Sequence, residues 1–174
     1  MITLYNVISS DGYIARKDGD EDFIPNELWP STLEFYKKYD AIVMGRKTYE
    51  AMQKYDRALL DPYEALDLKK IVITQNRSFV PESGYIVAHS PHDAFALVSG
   101  LNVLVSSGPE LNSSVMRDGL VDKVIWQVVP VAIGEGIKPF DMDTESVLGE
   151  SSTENGPLGT TIQMYRINNA HLLN

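Results

Sequence analysis

The sequence predicts an α/β fold: a central, mostly parallel mixed sheet with helices on both faces and an antiparallel edge at its carboxyl-terminal end. Three observations predict it. Short β-branched runs alternate with helical patterns through the middle of the chain, which implies parallel pairing and crossover helices. Two of those runs pass into small residues immediately before a helix. Two long strands end the chain, and they are read as closing the sheet antiparallel. At 174 residues the length suits one domain, 1–174, around a single core. No internal repeat or linker divides it.

The elements are justified in order. Ile2–Ser9, Ala41–Met44, Lys70–Thr74, Tyr85–Ala88, Asn102–Ser106, Lys123–Pro130 and Thr161–Ile167 are β-branched or aromatic runs bounded by turn residues, and read as strands. A first helix is expected behind Ser31, which forms a capping box with Glu34 and is followed by an apolar face. A second begins with Thr48-Tyr49-Glu50 directly after a strand. Ser90-Pro91-His92-Asp93 offers an N-cap, a proline at the first helical position and an acid in the first turn, so a third helix runs from there towards Gly100. Pro109-Glu110 opens a fourth, ending at Gly119. The Gly-, Ser- and Glu-rich stretch between Gly134 and Gly159 reads as the connection between the last two strands.

Composition narrows the function. With 44% hydrophobic and 22% charged residues the chain is globular rather than disordered. It contains no cysteine, which excludes disulfides and thiolate zinc sites and suits a reducing, cytoplasmic setting. No basic segment followed by an apolar run stands at the start, and no stretch reaches the roughly 18 apolar residues of a membrane span. The net charge of −9 repels phosphate backbones and anionic lipid, so neither nucleic acid nor membrane is an expected partner. An anionic small molecule binds such a chain only where local cations or backbone N–H groups outweigh the global field.

Two strand-to-helix junctions offer such a place, because ligands of open α/β sheets sit beyond the carboxyl ends of the strands. In Val43-Met44-Gly45-Arg46-Lys47-Thr48-Tyr49-Glu50, glycine allows a tight turn, and two cations and a hydroxyl stand at a helix start. This is either a phosphate seat or an ordinary turn with solvated cations. In Val103-Leu104-Val105-Ser106-Ser107-Gly108-Pro109-Glu110, small residues precede a proline-initiated helix. They serve either backbone approach to a pyrophosphate or close helix packing. Ser9-Ser10-Asp11-Gly12-Tyr13-Ile14-Ala15 carries an Asp-Gly turn that bends the first strand back over its own end.

Other polar residues divide in the same way between a ligand role and a structural one. Gln127 lies in an otherwise apolar strand, and must find partners or cost about 1–3 kcal/mol. It faces either a ligand or an internal hydrogen-bond partner. Strand alternation puts Trp126 opposite it, under a helix or at an interface. Asp18-Gly19-Asp20-Glu21-Asp22 lacks the spacing and distal Glu of an EF-hand and reads as a solvated loop. His89, His92 and His171 show no ligand spacing, and no metal site is expected. Glu34 is read as the capping partner of Ser31 rather than as a pocket acid.

Taken together and in order, Ser10-Asp11-Gly12-Tyr13-Ile14-Ala15, Met44-Gly45-Arg46-Lys47-Thr48-Tyr49-Glu50, Ser107-Gly108-Pro109-Glu110-Leu111, Gly119-Leu120-Val121-Asp122-Lys123 and Pro130-Val131-Ala132-Ile133-Gly134-Glu135-Gly136 resemble the dihydrofolate-reductase-like family. They look most like its branch containing the C-terminal reductase domain of the bifunctional riboflavin-biosynthesis deaminase-reductase. The resemblance implies NADPH as cofactor. Gly45, Arg46, Lys47 and Thr48 would hold its phosphates, with Thr74, Gln75, Asn76 and Arg77 around the adenine ribose and 2′-phosphate. Ser106, Ser107, Gly108, Pro109, Glu110 and Leu111 would carry the pyrophosphate, and Val7, Ile14 and Ala15 would flank the nicotinamide. Asn6, Thr32, Tyr36 and Gln127 would meet the small-molecule substrate.

The implied activity is hydride transfer to a pterin-like or ribosylaminopyrimidine-like substrate. A homodimer is implied as well. Two departures separate the chain from both parents. Thr32 stands where dihydrofolate reductases place the carboxylate of their first helix, and Ser106-Ser107-Gly108 replaces the Glu-Gly-Gly of the riboflavin branch. A proton would therefore come through water held by Thr32, Gln127 or Asp11. The alternative is a non-catalytic dinucleotide- or ligand-binding module on the same fold.

Overall fold

In the computed structural model, which describes residues 1–144 and 147–167, eight strands form one sheet in the order β4-β3-β2-β5-β1-β6-β8-β7. The strands are β1 (Ile2–Ser9), β2 (Ala41–Gly45), β3 (Lys69–Ile73), β4 (Tyr85–Ala88), β5 (Val103–Val105), β6 (Lys123–Val129), β7 (Leu148–Asn155) and β8 (Thr161–Ile167). The first six pair in parallel, and β8 and β7 join antiparallel. The helices are α1 (Trp29–Tyr36), α2 (Arg46–Met52), α3 (Arg57–Glu64), α4 (Pro91–Leu97) and α5 (Pro109–Arg117).

Strand alternation divides the core into two layers. Leu4, Val43, Val105 and Val124 pack with Ala94 and Phe95 of α4 and with Leu111, Val115 and Met116 of α5. Their sequence neighbours Tyr5, Ile42, Met44, Leu104 and Ile125 point the other way, onto Leu33 and Tyr36 of α1, Tyr49 and Met52 of α2, and Leu60 and Tyr63 of α3. Near-continuous apolar runs are what strands covered on both faces require. Trp126 belongs to the first layer, 6% exposed, with its ring 5.6 Å from that of Phe140. It is core, which decides between the two environments open to it.

Three expectations are corrected. Helix α1 begins at Trp29 with Pro30 in its first turn, two residues before Ser31. Ser31 therefore donates its hydroxyl to the Leu28 carbonyl, and Glu34 pairs with Lys37, so neither makes a capping box. Helix α3, which was not expected, lies over the sheet through Leu60 and Tyr63; buried Lys70 donates to the Glu64 and Leu66 carbonyls at its end. The stretch between β6 and β8 holds β7, an edge strand exposed along nearly its whole length. At α4, by contrast, the Ser90 hydroxyl accepts from the Asp93 N–H at 3.1 Å as expected.

Candidate cofactor and substrate site

Because β2, β5 and β1 are parallel neighbours, their carboxyl ends share one edge of the sheet. The helix after β2 covers one face and the helix after β5 covers the other. Adjacent strands whose helices diverge in this way open a crevice between them, the switch point at which such sheets bind ligands. The two junctions singled out by sequence line it. Gly45 is the N-cap of α2 and Gly108 that of α5, both in extended backbone and neither with a side-chain cap. The first-turn N–H groups of both helices thus face the crevice without a capping side chain.

Ser107 ties the junctions together. Its Oγ accepts from the Gly45 N–H at 3.1 Å and lies 3.2 Å from Thr48 Oγ1. A Cβ on Gly45 would stand 3.3 Å from that Oγ, close enough that Ser107 would have to give by a few tenths of an ångström. Nothing lies within 4 Å of a Cβ built on Gly108, so open space faces the start of α5. Behind the turn, the Ser107 carbonyl accepts from Asn6 Nδ2 at 2.9 Å and from Asn112 Nδ2 at 3.1 Å. Asn112 also donates to Asn6 Oδ1 and the Pro139 carbonyl, both at 2.9 Å. It is fully buried, and was not foreseen from the sequence.

The cations are less free than their spacing suggests. Arg46 pairs with Glu50 at 2.7 Å, and Lys47 lies 3.6 Å from Glu110 of the other junction. Both pairs are solvent-accessible, so each contributes at most about 1 kcal/mol. After β3, Asn76 N–H bonds Thr74 Oγ1 and Ser78 N–H bonds Asn76 Oδ1. That turn holds Gln75 and Arg77 outward, and Arg77 makes no ion pair among the described residues.

Beyond β1, Asp11 fastens the turn. Its Oδ1 accepts from the Ser9 hydroxyl at 2.7 Å and the Ile133 N–H at 3.1 Å, and its Oδ2 accepts from the Gly134 N–H at 2.7 Å. The Ser9 hydroxyl, followed by the backbone donors, holds its carboxyl below the usual range. Ile14 and Ala15 exchange backbone bonds with Ile137 at 2.8 Å. A Cβ on Gly136 would come within 2.2 Å of the Ala15 carbonyl, so that bridge depends on glycine. Ile14 and Ala15 pack in the α5-side core, whereas Val7 packs towards α1 with Phe23, Leu28 and Val129.

On the α1 side, the candidate substrate residues are largely satisfied by one another. Tyr5 OH donates to Gln127 Oε1 at 2.5 Å, and Gln127 Nε2 donates to Thr160 Oγ1 at 3.2 Å. Thr32, 4% exposed, donates to the Leu28 carbonyl at 3.2 Å. Tyr36 OH lies 3.5 Å from Ser106 Oγ, and burial, partly offset by that contact, raises its pKa to about 12. Glu21, expected in a solvated loop, accepts from Tyr55 OH at 2.9 Å. The charge of Glu21 adds to the upward shift of both tyrosines.

No family model matches the chain. It is 27% identical over 172 residues to the uncharacterized protein YwjB of Bacillus subtilis (strain 168), covering 94% of this chain and 95% of that one. It is 29% identical over 123 residues to a dihydrofolate reductase of Enterococcus faecium, 68% of this chain and 66% of the relative. Among solved structures, a protein of Shewanella sp. PV-4 provisionally named for riboflavin biosynthesis superposes with a TM-score of 0.75 at 21% identity, over 96% and 98% of the two chains. Dihydrofolate reductase from Enterococcus faecalis, complexed with NADP(H) and RAB-propyl, gives 0.70 at 20% identity over 97% and 96%. The fold is dihydrofolate-reductase-like.

Within this dihydrofolate-reductase-like fold, the remaining polar features are structural. Asp18 and Asp20 carboxylates accept from the backbone N–H groups of Asp20 and Asp22, and no metal-binding cluster exists among the described residues. His89 contacts the Thr74 carbonyl at 2.9 Å, His92 lies 4.0 Å from Asp118, and His171 lies outside the described residues. Surface cavities of about 350 Å³ beside β8 and β7, and about 320 Å³ at the amino-terminal ends of β1 and β5, are both remote from the crevice. No helix among the described residues is long and apolar enough to cross a membrane.

Proposed function

We propose that the chain is an NADPH-dependent reductase that transfers hydride to a pterin-like or ribosylaminopyrimidine-like substrate. One observation carries this reading: two uncapped helix starts converge across the switch point, locked together by Ser107 Oγ on the Gly45 N–H. That arrangement fits a pyrophosphate, because several backbone donors meet one anion at no desolvation cost to a side chain. Gly45, Thr48 and the turn Ser107–Leu111 would hold the phosphates, and Arg77 the 2′-phosphate. Bound NADPH supplies the hydride. The protein's own part is to position the substrate against the edge of β1, exclude water and hold a proton source. Cytoplasmic placement belongs to the same reading.

A homodimer is part of the proposal too. Trp126 does not support it, being core. The outer edge of β7 does, since an exposed edge strand is a ready pairing surface. Light scattering at micromolar concentration tests it, and the mass of one chain refutes it.

The second reading, a binding module without turnover, is favoured by Thr32 and Gln127, whose hydrogen bonds stay within the protein. Stopped-flow oxidation of NADPH with a panel of pterins and ribosylaminopyrimidines separates the two. Substrate-dependent NADPH consumption is expected. Binding without consumption across the panel supports the module, and absence of NADPH binding refutes the reductase and the dinucleotide-binding form of the module.

A further inference from the structure

At the end of β6 away from the crevice, two cations stand side by side with no acid paired to either. Lys123, the first residue of β6, is the ladder partner of Arg166 on β8. Residues directly opposite on antiparallel strands share a face, and like charges so placed repel. Lys123 is half-buried and Arg166 exposed, and neither side chain makes an ion pair or hydrogen bond among the described residues. Acids are not scarce. The chain has 24 of them against 15 lysines and arginines, and they partner Arg46, Lys47 and Arg117 elsewhere.

Both cations line the cavity of about 350 Å³ beside β8 and β7, together with Met164, Glu150 and Ser152. That volume lies within the range of small-molecule sites. Strand alternation builds its wall. Met164 is two residues before Arg166 and opposite Ile125, so it shares the face of the cations and packs with the α1-side core. Ser152 is opposite Met164 on β7 and lies on that face as well, its hydroxyl without a hydrogen bond among the described residues. Glu150 precedes it where the register of β7 shifts; its carboxylate lines the cavity yet pairs with neither cation. Cations, a carboxylate and a hydroxyl therefore share one concave surface with their hydrogen-bonding capacity unused.

We infer that this cavity binds a small phosphomonoester that carries free hydroxyls, with the phosphate between Lys123 and Arg166 and the hydroxyls on Glu150 and Ser152. A phosphate dianion relieves the repulsion between the two cations, and its bonds to an ammonium and a guanidinium are of the strong, charge-assisted kind. The carboxylate of Glu150 repels a bare anion but accepts from hydroxyls, so it favours a polyol phosphate over inorganic phosphate. The site stands apart from the proposed cofactor seat. Val129, at the crevice end of β6, is six residues on from Lys123, or about 20 Å along the strand. Nothing in it depends on the reductase reading, and a ligand held here is not the one that is reduced.

The probe is glycerol 3-phosphate, compared with inorganic phosphate and with glycerol by isothermal titration at low ionic strength. Wild type is measured beside Lys123→Ala, Arg166→Ala, Glu150→Gln and Lys54→Ala, the last removing an exposed cation outside the cavity. Wild type is expected to bind glycerol 3-phosphate at least about threefold more tightly than inorganic phosphate, and not to bind glycerol. Lys123→Ala and Arg166→Ala should each weaken binding by at least about tenfold, and Lys54→Ala by less than about twofold. Glu150→Gln should tighten inorganic phosphate and abolish the preference for the ester. Glycerol 3-phosphate should also raise the Tm of wild type and leave that of Arg166→Ala unmoved. No binding by wild type at millimolar ligand, or equal affinity for wild type and Arg166→Ala, overturns the inference. A loss in Lys54→Ala as large as in Arg166→Ala does so too, since it would show attraction by charge in general. Equal affinity for inorganic phosphate and the ester overturns the ligand class. NADPH affinity on the same samples should not change; if NADPH fails to bind while glycerol 3-phosphate still depends on Arg166, the reductase reading falls and this one stands.

Discussion

Replacing Asn112 with alanine should destabilise the fold by more than any surface change, and the size follows from counting its partners. The amide is fully buried and donates to Asn6 Oδ1, the Ser107 carbonyl and the Pro139 carbonyl. Alanine leaves the buried Asn6 Oδ1 without that donor, at about 1–3 kcal/mol, and the part-buried Pro139 carbonyl at the low end of that range. The Ser107 carbonyl loses less, because Asn6 Nδ2 still reaches it at 2.9 Å. Against these losses, Asn112 Oδ1 is itself buried without a donor, and truncation removes that penalty. The expected net loss is about 2–4 kcal/mol, or a fall in Tm on the order of 4–15 °C.

Urea unfolding of wild type and variant gives the number directly. Asn112→Asp sharpens the test, since a carboxylate turns lone pairs towards two carbonyls and should be worse than alanine. NADPH affinity should fall along with stability, because Ser107 and Gly108 rest on this amide. A loss below 1 kcal/mol, or an aspartate variant more stable than the alanine variant, would refute the donor count.

The other predictions are briefer. NADPH should bind at least tenfold more tightly than NADH, and Arg77→Ala should erase more of that preference than Arg46→Ala, since Glu50 already holds Arg46; equal calorimetric affinities for the two cofactors at fixed salt would contradict the 2′-phosphate role. Asp11 has a lowered pKa in the folded state. Its contribution to stability is therefore complete above the ordinary carboxylate pKa and is lost as pH falls through the lowered one. Asp11→Asn should reduce Tm at pH 6, with the gap to wild type closing below about pH 4; a constant gap would show that the charge is not what the turn uses. Dihydrofolate should turn over slowly, with a gain on Thr32→Asp. Rates of roughly 1–10³ per second that survive Thr32→Ala would place the proton source elsewhere.

The parallel part of the sheet was legible because strands covered on both faces must be largely apolar, as in Ala41–Gly45. The Ser90 cap was legible because its partners are adjacent in sequence. Edge strand β7 was not, since Leu148–Asn155 faces solvent on both sides and needs no alternation. Helix α3 carries an interior proline, Pro62, a residue that reads as a break. Ser31 and Glu34 misled because Pro30 already starts the helix, so a local capping pattern fell inside it. The two junctions of the crevice were visible as motifs, but their union through Ser107 was not. Asn112 meets Asn6 across 106 positions, and Glu21 meets Tyr55 across 34. Contacts of that range leave no mark in spacing.

On the proposed reductase reading, so acidic a chain must still draw in an anionic cofactor, and the groups left without partners say how. Thr32, Tyr5, Gln127 and Asn112 direct their donors at protein acceptors. Arg46 and Lys47 are partnered by Glu50 and Glu110. Little side-chain positive charge at the crevice is therefore free to draw in an anion against a net charge of −9, and the attraction must come from groups the global charge does not count: the first-turn N–H groups of α2 and α5. Donors therefore stand where the proposed dinucleotide would bring acceptors.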